Sequence, residues 1–87
     1  MTERDDRDWQ DIHKTQDDKG IRLKIEYSKA AHTYSVSVSY GEDSDNSLSE
    51  RFNATYEPVF GMDVSDQEEA YEIAERLAVQ LERKLNL

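Results

Sequence analysis

The chain contains no cysteine. Neither a disulfide framework nor a thiolate zinc site can therefore reinforce the fold, and thiol redox chemistry is excluded. The core must come from packing alone, in an 87-residue chain that buries a smaller share of its surface than a longer one would. Only three glycines are present, and none belongs to a phosphate-cradling loop, which argues against nucleotide binding. No stretch approaches the ~18 apolar residues needed to cross a bilayer. The opening residues Met1-Thr2-Glu3-Arg4-Asp5 lack the apolar segment of a secretory signal, so a cytoplasmic protein without a membrane partner is expected. On the same ground Asn53-Ala54-Thr55 is a glycosylation acceptor in form only.

Chemistry-bearing groups are equally scarce. The two histidines, His13 and His32, stand near no nucleophile, and no Gly-x-Ser-x-Gly elbow occurs. Asp43, Asp45 and Ser47 have the spacing of an EF-hand loop, but Leu48 stands where glycine is required and Ala54 where the closing glutamate belongs. The sequence thus predicts no catalytic residue, no metal site and no cofactor.

Positive charge is in short supply as well. Eleven basic residues face twenty acidic ones for a net charge of −9, and lysine contributes only five. Residues 20–40, with three bases and one acid, are the single positive island. Such a field repels nucleic acid and anionic lipid over a Debye length of ~8–10 Å, so no direct nucleic-acid partner is expected. A high-salt habitat, in which carboxylates keep the surface hydrated, would explain the acidity without any partner.

What is present is patterning. Residues 1–19 are polar and charged, the composition of a flexible acidic arm, relieved only by one prospective helical turn in which Asp8 caps Trp9 and Ile12. From Gly20 onward, Ile21, Leu23, Ile25 and Tyr27 alternate with polar residues, as do Tyr34, Val36, Val38 and Tyr40, then Leu48, Phe52, Ala54 and Tyr56. Two-residue periodicity of this kind marks half-buried strands. Ser65 with Glu68 suggests a capping box, followed by a stripe of Ala70, Ile73, Ala74, Leu77, Ala78, Leu81 and Leu85 at helical spacing. Glu72 is placed to pair with Arg76 one turn on. The expected fold is α+β: a three-stranded antiparallel sheet over residues 20–87, with one long C-terminal helix covering its apolar face.

This order, with a short helical turn ahead of it, is similar in outline to the double-stranded-RNA-binding domain. Those domains hold phosphates with lysines at the start of the last helix. Here that position reads Ser65-Asp66-Gln67-Glu68-Glu69, which would repel RNA.

Pro58-Val59-Phe60-Gly61-Met62-Asp63-Val64 places four large apolar side chains in a connector. The expectation is a plug for the open end of the core, with Gly61 turning the loop back beneath the helix. Left exposed, Phe60 and Met62 would be interface anchors. In function the sequence predicts a non-enzymatic protein-interaction module that binds another protein or itself, with contacts from Trp9, Arg22, Lys24, Arg51, Phe60 and Met62. The alternative is an acidic nucleic-acid mimic that blocks a DNA-binding protein or nuclease, its surface formed by Asp43, Asp45, Glu68, Glu69, Glu72 and Glu75.

Overall fold

The computed structural model describes residues 8–42 and 45–87. Four strands, β1 (Trp9–Gln16), β2 (Ile21–Ser28), β3 (Thr33–Tyr40) and β4 (Ser47–Asn53), precede one helix, α1 (Val64–Leu85). The strands form an antiparallel meander in chain order. The fold class is therefore α+β as expected, but with four strands instead of three.

The additional strand falls in the segment read as a flexible arm, where a helical turn was expected at Trp9 and Ile12. Its register explains why the sequence hides it. Asp11 pairs with Glu26 and His13 with Ile25, so Ile12 is the extra residue of a β-bulge. A bulge breaks the two-residue rhythm, and here both Ile12 and His13 turn toward the helix side. Ile12 packs against the core, and the His13 ring meets Tyr71 of α1 edge-on at 6.1 Å. With a strand in place of the leading helix, the outline likeness to the RNA-binding domain is lost. Residues 1–7 of the proposed arm lie outside the described residues.

Turn chemistry sets the meander. The Asp17 carboxylate accepts from the N–H groups of Lys19 and Ile21, both at 2.9 Å, and Gly20 closes the turn at φ +93°. A β-carbon there would meet the Tyr40 ring at 3.3 Å, so both conformation and space favour glycine. At the other end, Asp8 accepts from the Ser28 hydroxyl and from the Ala30 N–H, clamping the start of β1 to the β2–β3 turn. The Ser28 hydroxyl, and after it the Ala30 N–H, hold the Asp8 carboxyl below its ordinary range.

The core lies between one sheet face and α1. Ile21, Ile25 and Tyr27 of β2 and Tyr34, Val36 and Val38 of β3 are buried beneath Ala70, Ile73, Ala74, Leu77 and Leu81. Register places Tyr27, Tyr34 and Phe52 side by side across three strands. Their ring centroids stand 5.1 and 5.3 Å apart, within the favourable range for aromatic pairs.

The helix begins two residues earlier than the expected capping box. Asp63 is the N-cap, and its carboxylate accepts from both the N–H and the hydroxyl of Ser65, at 3.1 and 2.6 Å. At the C-terminus Asn86 adopts the left-handed conformation, φ +63°, and returns its N–H to Arg83, a role open to asparagine because its short polar side chain tolerates that region. Arg76 does not form the expected pair with Glu72. It reaches across to β4 and donates to Glu50 from both terminal guanidinium nitrogens, Nη1 and Nη2, at 2.8 and 3.0 Å.

Tyr34 is fully buried, and its hydroxyl has no hydrogen-bond partner. Burial, with the negative charge of Asp66 next in importance, pushes this phenol up to about 12. An unfolded tyrosine ionises near 10, so this contribution to stability is intact below pH ~10 and is lost as pH climbs toward 12. Tyr34→Phe removes an unsatisfied buried hydroxyl and should raise stability at pH 7 by about 1 kcal/mol, while flattening the alkaline loss. Urea unfolding at pH 7 and pH 11 checks both, and a destabilised variant would contradict the account.

Candidate functional site

The ten residues between β4 and α1 begin under the sheet and end at the helix cap. Ala54 is buried, and its N–H donates to the His32 carbonyl at 3.0 Å, extending the sheet by one bond past Asn53. Next, Thr55 donates twice to Asp66, from its N–H at 2.8 Å and its hydroxyl at 2.7 Å. Asp66, only 4 % exposed, is thus a lock between sheet and helix. In the sequence it reads only as one of the acids of the helix start Ser65-Asp66-Gln67-Glu68-Glu69, without this role. An Asp three residues after the cap gives no local sign of a bond eleven residues back.

Between these anchors the chain loops outward. Phe60 is fully exposed, and around it Tyr56, Val59 and Val64 are 66 %, 70 % and 68 % exposed. Met62 is half-buried and packs against the core. The plug reading therefore holds for Met62 and fails for Phe60: one side chain suffices to close the end of the core. Gly61, at φ +115°, turns the backbone so that Phe60 and Met62 take opposite directions. Val59 N–H bonds the Glu57 carbonyl within the loop, and Glu57 and Asp63 stand in the rim beside the apolar groups.

The other nominated contacts are spoken for within the fold. Trp9 and Arg51 lie on the open sheet face, opposite Ser28 and Ser35, and the Arg51 guanidinium sits 4.9 Å from the centre of the indole, a cation–π contact. Serines across β3 leave room for both side chains to lie over the sheet. Lys24 bridges Asp11 and Glu26, at 3.8 and 3.4 Å, and Arg22 donates to the Gly41 carbonyl. Of the positive island, Arg22 and Lys24 are therefore engaged on one face of the sheet, with Lys14 beside them at 3.0 Å from Asp11, and Lys29 in the β2–β3 turn stands 3.9 Å from Glu57.

Of the nominated acidic surface, Glu68, Glu69, Glu72 and Glu75 all sit exposed on α1. Glu68, Glu72 and Glu75 follow one another at helical spacing along its outer side and border a shallow depression with Tyr71. Asp45 lies at the opposite end of the domain, where its carbonyl accepts from Lys84 at 2.7 Å. Asp43 lies outside the described residues. Among the described residues, no three His, Asp or Glu side chains converge as a metal-ligating group, and no helix is long and apolar enough to cross a membrane.

Comparison of the chain with protein-family models, with curated proteins and with solved structures finds no match. The site is therefore read from its own geometry.

Asp66→Ala should cost about 2–3 kcal/mol, since it removes two part-buried hydrogen bonds to a carboxylate and frees the helix start from the sheet. Thr55→Val, which keeps the backbone bond and loses only the hydroxyl's, should cost less than half as much. Denaturant unfolding of both variants tests the ranking, and equal losses would refute it.

Proposed function

We propose that this protein is a non-enzymatic interaction module whose contact element is the loop carrying Phe60. The observation that carries the reading is the complete exposure of Phe60 amid Tyr56, Val59 and Val64. A chain of this size has little apolar area to spare for its core, yet it places four large side chains in solvent within nine residues. Clustered exposure of that kind characterises contact surfaces, whereas scattered single residues do not. Aromatic anchors at the centre of such patches commonly dominate binding energy.

Charge narrows the partner. Glu57 and Asp63 rim the loop, and the chain carries −9 overall, so the complementary surface is an apolar cleft edged by Lys and Arg. Pairing the loop with its equivalent in a second copy would set acidic rims against each other. A different, basic protein is favoured over a homodimer.

The row Glu68, Glu72 and Glu75 supports a second reading, that of a nucleic-acid mimic occupying a basic groove. Seven residues of helix rise only ~10 Å, and Arg76 and Arg83 flank the row. The apolar loop therefore has the stronger support.

Phe60→Ser should leave the unfolding free energy within about 0.5 kcal/mol of the parent, because the ring contacts no core residue. The same change should abolish partner capture, read by a photo-crosslinking phenylalanine analogue at the exposed position 56 of the same patch, with position 37 on the open face as control. Crosslinks at both positions alike, or a Phe60→Ser variant destabilised by more than about 1 kcal/mol, would overturn the assignment.

A further inference from the structure

The helix does not cover the whole sheet. It lies over β3, with its flanks on β4 and β2, and reaches β1 only through Tyr71, whose ring meets His13, leaving the helix side of β1 around Thr15 open. Beside it runs an open groove of about 270 Å³. The floor is Ile21, Leu23 and Val38, and the helix wall is Ala74 and Ala78 with Tyr71. Small residues four apart on that wall let another backbone approach closely, and helices in contact stand ~8–10 Å apart. The volume accommodates about two apolar side chains, the number one turn of an amphipathic helix presents.

The rims of the groove are acidic. Asp17 borders it on the β1–β2 turn and Glu75 on the helix. Glu72 lies one turn from Glu75 on the outer side of the helix. Carboxylates on both sides of an apolar floor match a helix whose apolar stripe is bordered by lysine or arginine. They also exclude a second copy as the occupant, since the outer side of α1 carries Glu68, Glu72 and Glu75. An anionic lipid surface is disfavoured by the same sign of charge.

We infer that the groove between α1 and β1 is a docking site for a basic amphipathic helix of another protein. This surface lies on the flank of the domain and is distinct from the Phe60 loop, so each can bind or fail independently of the other. Occupation completes the layer, with a second helix covering β1 as α1 covers β3.

The test uses the full chain and two amphipathic peptides of about 18 residues, long enough to form helix on a surface: one of leucine and lysine, the other of leucine and glutamate. Methyl resonances are followed at ~0.15 M salt. The leucine–lysine peptide should shift Leu23, Ala74 and Ala78 and leave Val59 unmoved, while the leucine–glutamate peptide shifts none of them. Ala78→Arg, which fills the groove and repels the peptide, should weaken binding about tenfold or more, and Phe60→Ser should leave it unchanged. If Ala78→Arg fails to fold, Glu75→Lys, at an exposed position, should still weaken binding several-fold. Shifts mapping to the Phe60 loop or the open sheet face, equal binding of both peptides, or no shifts at about 1 mM peptide would each overturn the inference.

Discussion

Ile25, Tyr34 and Val36 on the two central strands and Leu81 on α1 have no measurable exposure, and the rest of the molecule is arranged around the single core to which they belong. With no cysteine to form a disulfide, apolar burial at roughly 25 cal/mol per Å² is the principal force opposing chain entropy. It fixes which face of β2 and β3 turns inward, and so fixes which residues remain for solvent. The helix is then held in place at both ends by polar bonds. Asp66 takes two bonds from Thr55 at its start. At its end Glu82 pairs with Lys19 at 3.1 Å, and Lys84 reaches the Asp45 carbonyl. These last two are exposed and contribute little energy, but they tie both turns at that end of the sheet to the helix.

Elements that touch this core were legible in the sequence, and those at its margin were not. The strands β2 and β3 alternate without a break from Ile21 to Tyr27 and from Tyr34 to Tyr40, and the stripe of α1 repeats at 3.6. Burial on one side is written directly into both. By contrast, β1 lies at the sheet edge and meets the helix only where His13 touches Tyr71, so it needs few apolar residues, and its bulge at Ile12 disrupts what rhythm remains. Its actual signals are weaker: Trp9, Ile12 and Thr15, residue types that favour strands. The helix start was misplaced for a related reason. Asp63 and Ser65 are both good caps, and only the structure reveals that Ser65 is spent as a donor to Asp63 while Asp66 faces inward.

The site residues divide in the same way. That the connector was unusually apolar could be read from Val59, Phe60 and Met62, but which of them enters the core depends on the turn at Gly61. Arg22, Lys24 and Arg51 fall on the polar parity of β2 and β4, whereas Trp9 reads as part of a helical turn. The contact between Trp9 and Arg51 has no sign in the sequence, because nothing there places Trp9 in the sheet. Once β1 is added, the positive island gains Asp11 as a neighbour and ceases to be a free cationic surface.

Acidic charge and apolar exposure together act as a filter. A patch such as Phe60 with Val59 and Tyr56 is by itself a risk, since any comparable surface could adhere to it. Carboxylates around it, at Glu57 and Asp63, make approach by another acidic protein or by a second copy unfavourable, while a basic rim on the partner is attracted and oriented. The groove beside α1 repeats this arrangement with Asp17 and Glu75 around Leu23 and Ala78. In both proposed contacts the apolar groups would supply affinity and the surrounding charge discrimination, which is specificity obtained through unfavourable alternatives as much as through favourable contacts. Under that proposal the net charge of −9 would select which surfaces come close enough to bury Phe60 or fill the groove.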